Sequence, residues 1–300
     1  MSVSPSPLPT SAIVTRLRAA GCVFAEDEAR LLTSTARTPA QLTAMADRRA
    51  VGLPLEHVLG WAEFCGLRVA VDPGVFVPRR RTEFLVRQAA TLARRAAATV
   101  RRTGRTGRPG QPDRPEHSTP QPHRPLVVDL CCGSGAVGAA LSAALERVEL
   151  HAVDIDPAAV RCARRNVVTA GGRVYEGDLY APLPATLRGR VDVLVANAPY
   201  VPTEAIGLLP PEARVHEARV ALDGGADGLD VQRRVAAAAP RWLAPGGHLL
   251  VETSERQAAR TAEVFARNGL IPRVVESEEL YATVGIGTRP ASGNGGAASE

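Results

Sequence analysis

The second half of the chain alternates short apolar runs with stretches of helical periodicity. The helical stretches cover residues 136–145, 157–169, 228–239 and 254–268, and the apolar runs cover 126–130, 149–153, 174–176, 191–196, 248–252 and 271–275. Such alternation is typical of an α/β fold with a doubly wound parallel sheet. A seventh run, 282–287, follows after only about six residues. That gap is too short for a crossover helix, so we predict a mostly parallel seven-stranded sheet with an antiparallel last strand.

The first half of the chain predicts smaller units. A disordered lead at 1–10 precedes a helical domain at 11–65, in which 54–64 is a connector. Residues 66–100 are interpreted as a β-hairpin, with 67–71 paired to 75–77 around Asp72-Pro73-Gly74, and a connecting helix from residue 82. Residues 101–125 hold six prolines, three glycines and no aliphatic residue, which predicts a disordered insertion. The alternating domain then covers 126–288, and a flexible tail is predicted at 289–300.

All 36 basic residues are arginines. Without lysine, the chain can be neither a P-loop nucleotide-binding protein nor an enzyme that forms a Schiff base. Eight arginines and only two acidic residues lie between 91 and 125, so the other 28 arginines face 29 acidic residues. The basic character therefore belongs to one segment, which we interpret as a solvated linker. Contact of that segment with RNA is the alternative, since basic segments bind nucleic acid by releasing counterions.

The cysteines and the apolar runs bear on the compartment. Five cysteines, an odd number without C-x-x-C spacing, favour neither a disulfide framework nor a structural zinc site, and indicate a reducing compartment. The Ser/Pro-rich start does not resemble a signal peptide, and no apolar run approaches the roughly 18 residues of a membrane span. The sequence therefore predicts a cytoplasmic protein. The adjacent Cys131 and Cys132 are interpreted as small residues in a tight loop.

Glycine and polar residues follow four consecutive predicted strands, where open α/β sheets bind their ligands. The first strand leads into a glycine loop, which lets the backbone pass close under a ligand and supplies amide donors. Asp154 follows the second strand, where a carboxylate can bind both hydroxyls of a ribose. The third and fourth strands are followed by Gly177-Asp178-Leu179 and Asn197-Ala198-Pro199-Tyr200. Each feature alone is often only a turn or a cap, but four at one sheet edge indicate a ligand site.

Gly133, Gly135 and Gly138 also match the spacing of a dinucleotide fingerprint, so a nicotinamide enzyme is an alternative. The antiparallel last strand does not fit a second mononucleotide-binding half, and Asn-Ala-Pro-Tyr has no role in hydride transfer. That motif suits an amide or an exocyclic amine better. The side-chain oxygen of Asn197 and the carbonyl of Ala198 are acceptors for two N–H groups, and an aromatic ring can orient a planar group.

These motifs resemble those of the HemK-type release-factor glutamine methyltransferases, a family of class I S-adenosylmethionine-dependent methyltransferases. The resemblance extends from about residue 10 to 290, except for the insertion. The glycine loop is shared by all such methyltransferases, whereas the Pro-Arg that ends the predicted hairpin and the Asn-x-Pro-Tyr motif are specific to this family. The matching segments are Pro54 to Gly60 with Phe64, Val71 to Arg79, Thr82-Glu83, Asp129 to Gly135, Asn197 to Tyr200 and Ala221 to Gly225.

The resemblance implies S-adenosylmethionine as cofactor and no metal. Cys131 to Gly135 would wrap the methionine part, Asp154 would bind the ribose, and Asp178 with Leu179 would contact the adenine. The full set implied for the cofactor is Asp129, Cys131, Cys132, Gly133, Ser134, Gly135, Asp154, Asp178, Leu179 and Asn197. The set implied for catalysis is Asn197, Ala198, Pro199 and Tyr200, which would hold the substrate amide.

The activity that the resemblance implies is methylation of a glutamine amide nitrogen in a protein. The helical domain would grip this protein partner. By resemblance, the substrate is the Gly-Gly-Gln loop of a peptide chain release factor, which places the reaction in translation termination. No membrane is expected as a partner, and nucleic acid is expected only through the basic insertion.

Three positions depart from the family pattern. Ala198 stands where the family usually has proline, although only the carbonyl of that residue is used. Arg80 stands where the family usually has proline. Arg81 stands where the family usually has an acid, and we expect the inverted charge near the substrate mouth. The departures indicate a divergent branch, and the alternatives are another protein substrate such as a ribosomal protein, the N(6) amine of adenine in DNA or RNA, and a non-catalytic scaffold. His216-Glu217 is interpreted as a solvated loop, with a place in the substrate channel as the alternative.

Overall fold

The N-terminal part of the protein is a small helical bundle. The computed structural model describes residues 9–103 and 123–291. Each bundle helix buries one apolar face, and Ile13, Leu17, Leu32 and Met45 meet in the centre. The helices are α1 (Thr10–Ala19), α2 (Ala25–Thr35), α3 (Pro39–Ala50) and α4 (Leu55–Leu59).

A two-stranded hairpin follows α4, at a different place from the predicted one. Strands β1 (Trp61–Phe64) and β2 (Leu67–Ala70) pair antiparallel. They are joined by Cys65 and Gly66, both with positive φ, which is the conformation of a tight two-residue hairpin turn. The predicted pairing of 67–71 with 75–77 is therefore wrong. Asp72 does begin a turn, since its carbonyl accepts a hydrogen bond from Val75 N at 3.1 Å, but the chain then continues as an extended connector.

The larger part of the protein is a seven-stranded sheet in the order β5-β4-β3-β6-β7-β9-β8. Strand β3 is buried along its whole length, and all of its residues except Asp129 are apolar. The pairs from β5 to β7 are parallel, and β9 is antiparallel to both β7 and β8, so the predicted topology is confirmed. The strands are β3 (Leu126–Leu130), β4 (Glu149–Asp154), β5 (Arg173–Glu176), β6 (Val191–Ala196), β7 (Leu243–Thr253), β8 (Ile271–Ser277) and β9 (Ala282–Thr288).

Within residues 9–103 and 123–291, six further α-helices accompany the sheet. The start of one of them is set by Asp156, whose carboxylate accepts a hydrogen bond from Ala158 N at 2.8 Å, with Pro157 as first helical residue. The helices are α5 (Glu83–Thr103), α6 (Ala136–Ala144), α7 (Pro157–Val167), α8 (Pro211–His216), α9 (Asp230–Trp242) and α10 (Glu255–Arg267). Because strand order reverses between β3 and β6, a crevice is expected at the carboxyl ends of these two strands.

The described chain extends into the predicted insertion from both sides. Helix α5 continues through 101–103, and residues 123–125 lead into β3. There His123 Nε2 lies 3.1 Å from Asp192 Oδ2, and the Arg124 guanidinium donates to the Val148 carbonyl at 2.7 Å. Residues 104–122 lie outside the described residues, as do 1–8 of the predicted lead and 292–300 of the predicted tail.

The connector between the hairpin and α5 is bound to the segment that follows β6. Gly74 and Glu217 form a parallel bridge, and Ala218 N donates to the Gly74 carbonyl at 3.2 Å. Arg49 of α3 reaches the same segment, since its Nη1 lies 2.7 Å from Glu212 Oε1. The helical bundle and the sheet domain therefore share one wall at the carboxyl edge of the sheet.

Candidate active site

A cavity of about 1010 Å³ opens at the carboxyl edge of the sheet. It brings together the candidate residues that follow β3, β4, β5 and β6, although they are up to 71 positions apart in the chain (129 to 200). Gly135 alone among the candidate residues does not line the cavity. A side chain at Gly135 would instead meet helix α7, since its Cβ would lie 2.7 Å from Val167 Cγ2. The role of Gly135 in this structure is close packing of α6 on α7.

The loop after β3 holds unusual backbone conformations. Cys131, Gly133 and Gly135 all have positive φ, and Cys131 is not a glycine. Non-glycine residues with positive φ cost about 1–3 kcal/mol and cluster at ligand sites, because the surrounding structure must hold them there. Leu179, after β5, is a second such residue and is buried beside the cavity. Both strained residues thus face the same space.

Asp154 holds its carboxylate at the end of β4 by two backbone hydrogen bonds. Gly133 N donates to Oδ2 at 2.8 Å and Asp156 N donates to Oδ1 at 2.9 Å. Burial raises the pKa of Asp154, and these amide donors oppose that effect. Each carboxylate oxygen keeps a lone pair after accepting one bond, so Asp154 can still accept a pair of hydroxyl groups.

Asp129 lies deeper, below the glycine loop. It is 1% exposed, and Gly138 N donates to its Oδ2 at 3.0 Å. Burial raises the pKa of Asp129 to about 7; the amide of Gly138 lowers it and the neighbouring Asp154 raises it further. The side chain therefore titrates near neutral pH.

This titration predicts a pH-dependent stability. The native pKa of about 7 lies above the unfolded value of about 3.9, so the native state binds more protons between these limits and loses stability as pH rises through that window. Asp129→Asn no longer titrates but still accepts the bond from Gly138. We expect the free energy of unfolding of this variant to increase relative to wild type between about pH 4 and 7. Urea unfolding without cofactor at several pH values measures it, and parallel pH curves for the two proteins would contradict it.

Asp178 is paired with a residue that no sequence motif marks. Its carboxylate accepts a hydrogen bond from the guanidinium of Arg234, on α9, and both side chains line the cavity. The two residues lie 56 positions apart, and nothing in the local sequence marks Arg234. The adenine side of the predicted site therefore carries a neutralised ion pair.

The loop Asn197-Ala198-Pro199-Tyr200 continues β6 and lines the cavity. Asn197 Nδ2 donates to Thr82 Oγ1 at 3.4 Å, which turns the amide oxygen away from that contact. In the part of the chain that the structure describes, neither Asn197 Oδ1 nor the Ala198 carbonyl accepts a hydrogen bond. Two acceptors are thus left open at one place in the cavity wall.

The Tyr200 end of this loop is held by hydrogen bonds and by close packing. Gln257 Nε2 donates to the Tyr200 carbonyl and to the Asp227 carbonyl, at 3.0 Å each. Gly228 approaches so closely that an added Cβ would lie 2.2 Å from the Tyr200 carbonyl oxygen. Val201 then forms a parallel bridge with Asp223, inside the Ala221 to Gly225 segment. The backbone that presents Asn197 and Ala198 is therefore fixed at both ends.

Glu217 is buried, so its interpretation as part of a solvated loop is wrong. Its side chain is 1% exposed, and its Oε1 accepts from Val77 N at 3.1 Å and from the Arg79 guanidinium at 2.6 Å. It also lines the cavity. The partners lie 138 and 140 positions away, which is why the local sequence favoured a solvated loop.

Known proteins resemble this chain in sequence. A family model described as the methyltransferase small domain matches residues 117–227. Together with the sheet topology and the cavity, this match identifies a methyltransferase domain in the chain. The release factor glutamine methyltransferase of Geobacter sulfurreducens is 38% identical over 77% of this chain and 72% of its own length, and that of Mycolicibacterium smegmatis is 34% identical over 85% and 82%. The chain belongs to the release factor glutamine methyltransferase family.

A relative with another name has a similar level of identity. The 4-amino-L-phenylalanine/4-methylamino-L-phenylalanine methyltransferase of Streptomyces pristinaespiralis is 37% identical over 74% of this chain and 68% of its own length. Within 9–103 and 123–291, the structure contains no helix long and apolar enough to cross a membrane.

Proposed function

We propose that this enzyme transfers a methyl group from S-adenosylmethionine to the side-chain amide nitrogen of the glutamine in the Gly-Gly-Gln loop of a peptide chain release factor. The observation that carries the proposal is the pair of open acceptors, Asn197 Oδ1 and the Ala198 carbonyl, beside Tyr200 in the cavity. A primary amide has two N–H groups, which match two acceptors. The names of the relatives in Geobacter sulfurreducens and Mycolicibacterium smegmatis support the same substrate.

The two acceptors address the main difficulty of this reaction. An amide nitrogen is a poor nucleophile because its lone pair is delocalised into the carbonyl. As the nitrogen attacks, positive charge develops on it, and acceptors on its N–H groups stabilise that charge in the transition state. We assign this role to Asn197 and Ala198, while Pro199 stiffens the turn and Tyr200 packs on the amide plane. When bound, S-adenosylmethionine supplies the electrophilic methyl group on its sulfonium.

The part of the cavity lining that comes from the ends of β3, β4 and β5 fits the cofactor. The loop from Cys131 to Ser134 would enclose its methionine part, the free lone pairs of Asp154 would accept the ribose hydroxyls, and Asp178 with Leu179 would border the adenine. Asp129 would act indirectly, since its carboxylate accepts the hydrogen bond of Gly138 N and so holds the first turn of α6, which follows the loop.

The assignment of Asp154 predicts weaker cofactor binding on its removal. Asp154→Ala deletes the acceptors for both hydroxyls and leaves Gly133 N unpaired. Loss of hydrogen bonds to a charged group costs about 1.5–3 kcal/mol, so we expect the Kd for S-adenosylmethionine to rise by roughly 10–100-fold. Titration calorimetry measures the Kd, and Asp156→Asn, which keeps the cap of α7, is the matched control. A wild-type Kd for Asp154→Ala would refute the assignment.

The substrate is tested by transfer of labelled methyl. The purified protein is mixed with methyl-labelled S-adenosylmethionine and a release factor, and the modified residue is mapped by mass spectrometry. A methyl on the glutamine of the Gly-Gly-Gln loop, absent when that glutamine is replaced by asparagine, supports the proposal. Label on nucleic acid, or on free 4-amino-L-phenylalanine with none on the release factor, would contradict it.

The location and the partner follow from the substrate. We propose that the protein acts in the cytoplasm, where release factors work, and that the helical bundle of α1 to α4 holds the release factor. The bundle reaches the cavity wall through the Arg49–Glu212 ion pair. Outside the segment 91–125, 28 arginines and 29 acidic residues nearly balance, so the rest of the chain lacks the basic surplus that would favour a nucleic-acid substrate.

A further inference from the structure

Arg81, the residue that departs from the family pattern, touches the amide-binding loop. It lies in the short turn Arg80–Thr82 that precedes α5, and its side chain is 44% exposed at the cavity wall. Its Nε donates to Glu252 Oε1 at 3.0 Å, and its Nη2 donates to the hydroxyl of Tyr200. The guanidinium carbon also lies 5.8 Å from the centre of the Tyr200 ring. One side chain thus binds both the aromatic residue of the loop and an acid on β7.

Glu252 completes a three-residue network. Its carboxylate is 2% exposed at the end of β7, and its Oε1 also accepts from the Tyr200 hydroxyl at 3.4 Å. In the described part of the chain, Glu252 Oε2 has no hydrogen-bond partner, and Arg81 is the only basic side chain within ion-pair distance. A buried carboxylate of this kind is costly unless a cation compensates it, so Arg81 and Glu252 depend on each other.

The network fixes the direction of the phenol. Burial raises the pKa of Tyr200 to about 12, so the hydroxyl keeps its proton; it donates that proton to Glu252 and accepts from Arg81. The hydroxyl thus donates one hydrogen bond and accepts another. Rotation of the ring out of the cavity would break both of these charge-assisted hydrogen bonds. The neighbouring Arg80 is exposed and makes no such contact among the described residues.

We propose that Arg81, paired with Glu252, is a positioning residue that holds Tyr200 across the amide pocket. The role rests on the proposed function, in which Tyr200 packs on the plane of the substrate amide. Arg81 acts through Tyr200 and does not touch the reacting atoms. The ion pair of Arg81 with Glu252 has no net charge. It therefore orders Tyr200 without adding a positive charge that would oppose the one developing on the amide nitrogen.

The kinetic test is a double-mutant cycle of Arg81→Met and Tyr200→Phe. The loss of charge-assisted bonds of about 1.5–3 kcal/mol predicts that each single variant lowers kcat by roughly 10–100-fold. The KM for S-adenosylmethionine should stay at its wild-type value, because the pair does not touch the cofactor wall. In the Tyr200→Phe background, Arg81→Met should lower kcat no further, since the hydroxyl that it holds is already gone. Arg80→Met is the matched control and should keep wild-type kcat.

A second readout does not depend on activity. The chain has four tyrosines, so incorporation of 3-fluorotyrosine gives four fluorine resonances, and Tyr200→Phe identifies the signal of residue 200. We expect Arg81→Met to shift and broaden that signal and to leave the other three in place, whereas Arg80→Met should change none of them. Thermal unfolding of both variants tests whether they are folded.

The outcomes separate the two proposals. Wild-type kcat in Arg81→Met, additive effects in the cycle, or an unchanged Tyr200 signal would overturn the positioning role. Suppose instead that the wild-type enzyme does not methylate release factor, but that the Tyr200 signal changes in Arg81→Met and not in Arg80→Met. That result would overturn the proposed substrate and leave the positioning role of Arg81 intact.

Discussion

Replacement of Asn197 by alanine should lower kcat by roughly 10²–10³-fold, the effect of removing one hydrogen-bonding group that stabilises charge in a transition state. The variant keeps the Ala198 carbonyl but loses the side-chain acceptor, so one N–H of the attacking amide would lose its partner. The contact of Asn197 Nδ2 with Thr82 Oγ1 holds the side chain so that Oδ1 stays open. Alanine cannot replace asparagine here because it has no side-chain oxygen. Initial rates at saturating substrate and cofactor measure the effect.

Two controls accompany this experiment. The Kd for S-adenosylmethionine, measured by calorimetry, should change far less than kcat, since the carboxylate of Asp154 remains. Asn268→Ala removes an asparagine at the end of α10, where Nδ2 donates to the Val264 carbonyl at 2.8 Å, and should keep wild-type turnover. Wild-type kcat in Asn197→Ala would exclude the proposed role of its oxygen.

Replacement of Gly228 by alanine should destabilise the protein and impair its active site at the same time. The residue has φ +77°, and the new Cβ would lie 2.2 Å from the Tyr200 carbonyl oxygen and 2.4 Å from Gln257 Nε2. The left-handed conformation costs about 1–2 kcal/mol for alanine, and overpacking about 1–3 kcal/mol. We therefore expect the free energy of unfolding to fall by roughly 2–5 kcal/mol. The displaced Tyr200 backbone should also lower kcat.

Gly207→Ala is the matched control for this substitution. Gly207 lies in the turn Thr203–Leu208, has no positive φ, and an added Cβ would meet nothing within 4 Å. Its free energy of unfolding should stay within about 0.5 kcal/mol of wild type, as for most surface substitutions. Chemical denaturation compares the two variants. Equal stabilities would show that the close approach of Gly228 to Tyr200 is not tight in solution.

The sheet was predictable from sequence because its strands are local signals. Each central strand is a short apolar run between helices, and the short gap before β9 required the antiparallel return. The hairpin was not predictable by the same rules. Its turn is Cys65-Gly66, with a cysteine in the left-handed conformation where asparagine or aspartate is usual, whereas Asp72-Pro73-Gly74 has the composition of a turn but no returning strand.

In the candidate site, too, some residues were predictable from sequence and others were not. Asp154 and the loop from Asn197 to Tyr200 follow strands, and their place at one edge of the sheet follows from the topology alone. Gly135 belongs to the glycine motif, yet its contact is with Val167 of α7, which no motif records. Arg234 and Glu252 were missed because their partners, Asp178 and Arg81, lie 56 and 171 positions away. Ion pairs over such separations leave no periodic or compositional signal.

The shared wall between the bundle and the sheet domain restricts how this enzyme can be recombined with its relatives. The ion pair Arg49–Glu212 joins the bundle to the segment after β6, and the backbone bridge of Gly74 with Glu217 and the ion pair Arg79–Glu217 join the connector to the same segment. A chimaera that exchanges the bundle, hairpin and connector without residues 212–218 would leave the buried carboxylate of Glu217 without an ion-pair partner wherever the incoming connector lacks the arginine. Functional exchange of substrate recognition therefore requires that residues 49–79 and 212–218 be transplanted together.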